Sequence, residues 1–182
     1  MRLRVFILSV ALLSLLSITA TARDAQGDQP SAKAQERIVK EVRHELLMLP
    51  YFGVFDYIAY KVDGYSVTLM GQVVLPILKS DAENTVKRIE GVEKVDNQIE
   101  VLPTSPMDDR LRRHLFHAIY QFPALQRYEL GVQKPIRIIV KNGHVALEGV
   151  VDSEADKNLV GMRANSVPGI FSVDNHLQVK KP

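Results

Sequence analysis

Two apolar periods alternate along the chain and then recur. Ile38, Val42, Leu46 and Leu49 are spaced four, four and three residues apart, the period of one helix face, and Leu111, Leu115, Ala118/Ile119 and Phe122 repeat it. Pro50 and Pro123 end these helices, since proline lacks the N–H that would continue the ladder. Strand-like runs follow at 57–62 and 65–73, and again at 136–140 and 144–151. Asp63-Gly64 and Asn142-Gly143 lie between the runs and suit the positive φ angles of a tight hairpin. A second helix is expected next, with Ala82, Val86 and Ile89 on its apolar face in one copy and Val160, Ala164 and Val167 in the other. Ser80-Asp81-Ala82-Glu83 and Ser153-Glu154-Ala155-Asp156 both read as N-terminal capping boxes, at different points of the repeat, so they leave the helix start open. Gly91 and Gly169 suit helix C-termini, and runs at 92–101 and 170–179 supply a third strand.

The second half rewrites the first. Shifting the chain by 78 positions lays residues 61–101 on 139–179 without a gap, so that Leu69-Met70-Gly71 meets Leu147-Glu148-Gly149 and Val95-Asp96-Asn97 meets Val173-Asp174-Asn175. The expected fold is therefore α+β: two tandem αββαβ modules, each a small three-stranded mixed sheet packed against two helices. They span residues 35–102 and 107–181. Pro103-Thr104-Ser105-Pro106 joins them, and so short and stiff a linker (103–106) holds the modules side by side.

Ahead of the repeat, Arg2 and Arg4 precede an apolar run from Val5 to Ile18 and then Ala20-Thr21-Ala22, the pattern of an export signal cleaved after residue 22. A run of this length rises about 21 Å as a helix, short of the roughly 30 Å hydrocarbon core, which argues against a membrane span. Residues 23–34 contain no large apolar side chain and read as a mobile leader. Removing Arg2 and Arg4 from 23 basic residues balances the 21 acidic ones, so the electrostatic footprint of a nucleic-acid binder is missing. The absence of cysteine excludes disulfides, thiolate metal sites and a cysteine-linked lipid.

An exported chain with two αββαβ repeats, each with Leu-x-Gly before the second helix and Gly-Val/Ile-x-x-Val-x-Asn after it, resembles the tandem BON-domain proteins of the bacterial envelope. The resemblance covers residues 35 to about 180. It implies a role like that of the osmotically inducible periplasmic proteins and outer-membrane lipoproteins of that family, which is linked to phospholipid binding and envelope maintenance. Without the lipoprotein cysteine, it implies a periplasmic protein that is soluble or meets membranes peripherally. The shared glycines and valines set turns and fill cores, so they carry no ligand role across.

Two surfaces are candidates for a partner. On the helix opening the second module, Leu111, Leu115, Ala118 and Ile119 are expected to turn inward, leaving Arg112, Arg113, Phe116, His117 and Tyr120 outward, cations beside aromatic rings as an anionic phospholipid surface favours. A solvated helix face with Phe116 covered by the neighbouring module competes with this reading. The second candidate is the aromatic stretch Tyr51, Phe52 and Phe55, a contact for lipid or a partner, though such clusters more commonly close a small core. The leading expectation is a non-enzymatic envelope protein bound peripherally to anionic phospholipid. The rival is a protein-interaction or scaffold module gripping another envelope protein through strand edges or the aromatic loop.

Catalysis finds no residues to stand on. His114 and His117 are three apart on a helix but supply only half a metal shell, and no nucleophile elbow, P-loop or dinucleotide fingerprint occurs. No enzyme activity, cofactor, metal, nucleic acid or small-molecule substrate is expected.

Overall fold

A computed structural model describes residues 31–131 and 133–181. The expected export signal and nearly all of the leader lie outside these residues. The first helix, α1 (Ala32–Leu47), is capped by the Ser31 hydroxyl, which accepts from the Ala34 N–H. It therefore includes residues 32–34, expected to belong to the leader, because a serine cap needs no apolar neighbour to start a helix. Strands β1 (Tyr57–Asp63) and β2 (Ser66–Val73) form an antiparallel hairpin, and α2 (Pro76–Val86) leads to β3 (Lys94–Asn97) and β4 (Glu100–Val101), both parallel to β2. The second module repeats the order with α3 (Pro106–Tyr120), a 3-10 turn (Pro123–Tyr128), β5 (Ile136–Lys141), β6 (His144–Val151), α4 (Glu154–Asn165), β7 (Ser172–Asn175) and β8 (Gln178–Val179).

Each module has its own buried core, one built on Ile38, Val42, Leu69, Leu78 and Val86, the other on Leu111, Leu115, Ile138, Leu147 and Val160. The repeat extends to backbone detail. Gly71 and Gly149 share φ +117°, and in each a Cβ would run into a carbonyl oxygen of the adjacent strand or its lead-in, that of Tyr57 or Pro135. Asn97 donates to the Lys79 carbonyl at 2.8 Å and accepts from Ile99 N–H at 3.2 Å; Asn175 does the same with Lys157 and Leu177 at 2.8 and 3.3 Å. That asparagine bracket interrupts the third strand of each module, so the single strands expected at 92–101 and 170–179 are each split in two.

Three local expectations shift. In the first hairpin Asp63 still belongs to β1 and the turn is Gly64-Tyr65, with Gly64 (φ +60°) in register with Asn142 (φ +51°). Ser80 sits inside α2 and donates to the Ile77 carbonyl rather than capping, because Pro76, whose ring presets helical φ, starts that helix. Ser153 does cap α4, accepting from Asp156 N–H at 3.1 Å.

The modules meet around β5. Its Arg137 and Ile139, on the sheet face away from the helices, are both buried. Arg137 donates to the Gly53 carbonyl at 2.7 Å and lies 4.5 Å above the Phe52 ring, while Lys141 pairs with Glu100 of β4 at 2.5 Å. Burial on both faces explains why β5 reads as a nearly continuous apolar run.

Candidate functional site

The helix α3 does not present the face its polarity suggests. Arg112 is only 3% exposed and Tyr120 is fully buried, so both are corrected from the outer face to the interior. The reason is the free edge of β5. In an antiparallel hairpin alternate residues aim their N–H and C=O away from the partner strand, and at β5 these are Ile136, Ile138 and Val140. The Tyr120 hydroxyl donates to the Ile136 carbonyl at 2.6 Å and accepts from the Ile136 N–H at 3.2 Å. The Ile138 N–H donates to the Val54 carbonyl at 2.9 Å. Arg112 donates to the Val140 carbonyl at 2.7 Å and pairs with Asp109 at 2.5 Å. Arg112 and Tyr120, with the Val54 carbonyl, thus meet four of the six outward groups of a sheet edge that would otherwise be costly to bury. Asp108, also buried, accepts the Asn142 and Gly143 N–H groups at 2.8 and 2.9 Å and ties the helix start to the hairpin.

Phe116 is half-buried, 6.4 Å from the Phe55 ring and 5.0 Å from that of Tyr120. Arg110, Arg113, His114 and His117 remain on the outside. The aromatic stretch divides likewise. Phe52 packs on the first core and Phe55 on the second, whereas Tyr51 is 76% exposed and holds a left-handed φ of +65°. Asp56 fastens this loop, accepting from Gly53 N–H at 2.9 Å and Val74 N–H at 2.8 Å. Burial raises its carboxyl above the ordinary range, against the pull of those amides and of Arg137.

The two surfaces that the sequence keeps apart thus meet. Tyr51, Phe55, Leu75 and Arg113 line one cleft of about 310 Å³ between the modules, with Asp56, Asp109 and Arg112 in its wall. Leu75, at the start of α2, had no signal in the sequence, since an apolar residue before a helix reads as core. Its neighbour Ile77 is also exposed. Among the described residues the cleft has an apolar rim, one guanidinium, that of Arg113, without an ion-pair partner, and no nucleophile beside a base. Among the described residues no group of three or more His, Cys, Asp or Glu stands close enough to hold a metal ion, and no helix is long and apolar enough to cross a membrane.

Comparison with known proteins agrees with this architecture. No curated protein matches the chain. Two solved structures of CdsD, a structural protein of the type III secretion system of Chlamydia trachomatis, one of them its C-terminal domain, align at 12% identity and a TM-score of 0.32. Both cover 79% of this chain, and 92% and 98% of their own, a likeness too weak to bear on fold or function. The family model of the BON domain matches residues 34–103 and 128–181, the sheet and second helix of both modules but α1 alone of the two opening helices. The chain is a tandem BON-domain protein.

Proposed function

We propose that this protein is a non-enzymatic component of the bacterial envelope that binds anionic phospholipid surfaces peripherally through the cleft between its modules and the outer face of α3. One observation carries the reading: exposed Tyr51, Leu75 and Arg113 surround one cleft, with Arg110 and His117 on the adjoining helix face. A left-handed tyrosine costs about 1–2 kcal/mol of backbone strain, and holding a ring in solvent at that cost suits contact rather than folding. Tyr51 and Leu75 would sit at headgroup level while arginines meet phosphates. Each basic side chain near an anionic leaflet contributes roughly 1 kcal/mol, so Arg110 and Arg113 together support weak, salt-sensitive binding.

Flotation of the chain cut after residue 22, with neutral and anionic vesicles at low and physiological salt, tests this. Binding is expected only to anionic vesicles and weaker at the higher salt, where charges are screened beyond about 8 Å. Arg110→Glu with Arg113→Glu should abolish flotation and Tyr51→Ser should weaken it, all three positions being exposed. Flotation unaffected by these changes refutes the reading. Arg112 is unsuitable as a probe because its loss would open the β5 edge.

A further inference from the structure

The two modules treat equivalent strand edges differently. A shift of 73 positions lays α1 on α3, so that buried Ile38, Val42 and Leu46 match Leu111, Leu115 and Ile119. Val39 then occupies the place of Arg112 and Leu47 that of Tyr120. Neither side chain carries a polar atom, and so neither serves a strand edge. In β1 the outward-facing residues are Ile58, Tyr60 and Val62, in register with Ile136, Ile138 and Val140. Among the described residues no donor or acceptor meets their outward N–H and C=O groups. Beside this edge runs a groove of about 500 Å³ between α1 and β1, lined by Leu46, Leu47, Phe52, Ile58 and Arg43, with Gln178 of β8 in the second module at one side.

The second module shows what fills such a groove. There a turn, Gly53 to Asp56, closed by the Asp56 N–H donating to the Gly53 carbonyl at 3.2 Å, abuts β5 and gives the Val54 main-chain carbonyl to Ile138 and the Phe55 ring to Phe116. Position 116 corresponds to Arg43 in the first module, which is exposed and forms no ion pair among the described residues. We infer that the β1 edge is a docking site for an extended segment of another protein, which adds as a strand beside β1. Its main chain pairs with Ile58, Tyr60 and Val62, its apolar side chains alternate onto Leu46 and Leu47, and a carboxylate meets Arg43 where the internal occupant places Phe55. Specificity comes from that charge, because the main-chain bonds alone accept any strand. This groove shares no lining residue with the cleft assigned to lipid, and the inference stands without that reading.

Amide hydrogen exchange on the labelled chain, with a capped hexapeptide of alternating valine and threonine carrying one glutamate, tests it. In the free protein the Ile58, Tyr60 and Val62 amides should exchange far faster than those of Ile136 and Ile138. Millimolar peptide should slow the first group by about tenfold or more and leave the second unchanged. Arg43→Glu should lose this response and acquire it for the lysine counterpart of the peptide. Tyr60→Pro, at an N–H pointing away from β2, should keep the hairpin and abolish the response. Unchanged exchange at millimolar peptide overturns the inference. So do edge amides already protected in the free chain, whether by its own residues or, if protection fades on dilution, by a second copy.

Discussion

Replacing Tyr120 by phenylalanine removes one oxygen and strips two backbone groups of their partner. The hydroxyl sits 2.6 Å from the Ile136 carbonyl and 3.2 Å from its N–H, in a fully buried side chain. Burial pushes its ionisation far above the ordinary tyrosine range, so it remains a donor at any working pH. Phenylalanine fills nearly the same volume, and no cavity term arises. What remains is the cost of leaving a buried N–H and C=O unpaired, about 1–3 kcal/mol each. The longer bond is the weaker, which places the sum at about 2–4 kcal/mol. For a chain of this size that lowers Tm by roughly 4–16 °C. Tyr60→Phe is the matched control, since its hydroxyl donates to the Val39 carbonyl at an exposed site and should cost about 0.5 kcal/mol or less. Thermal unfolding followed by circular dichroism measures both, and hydrogen exchange at Ile136 should accelerate in Tyr120→Phe alone. Equal losses for the two variants, or a loss below about 0.5 kcal/mol for Tyr120→Phe, would refute the account of a helix side chain completing a strand edge.

Two further outcomes rest on the repeat and on one cluster of charge. Gly71→Ala and Gly149→Ala should each disrupt their own module, by about 3 kcal/mol or more, because a Cβ at φ +117° meets a carbonyl oxygen of the backbone; denaturant unfolding of each variant measures it. At Asp156, burial pulls the carboxyl pKa up, but hydrogen bonds from Ser153, Arg127 and Tyr128 outweigh it and leave it below the ordinary 3.8. A lowered folded-state pKa contributes stability that is complete above the unfolded value and drains away as pH falls through the folded one. Acid titration of unfolding should therefore show a limb below about pH 4 that Asp156→Asn flattens, with a loss of stability at neutral pH.

The chain's own pattern determined most of the architecture. The 78-residue shift, the helix faces of Ile38, Val42 and Leu46 and the paired glycines depend on local spacing, and local spacing sets which face of each element is apolar. Gly71 and Gly149 were legible because a backbone clash recurs wherever its residue recurs. The direction of Arg112 and Tyr120 was not legible. A charged or hydroxyl-bearing side chain on an amphipathic helix reads as solvent-facing, and only the arrival of β5, 28 and 16 residues further along, supplies acceptors that make its burial favourable. Ser80 differs, for the proline four residues before it, a local signal, starts the helix and displaces a plausible cap. What holds for Arg112 and Tyr120 holds too for the meeting of Tyr51 and Phe55 with Arg113, elements more than fifty positions apart whose nearness depends on how two modules pack. Sequence periodicity sets each module's interior. Unmet hydrogen-bond groups at the strand edges, which no window of residues reveals, decide which polar side chains are drawn in and which surfaces are left to meet a partner.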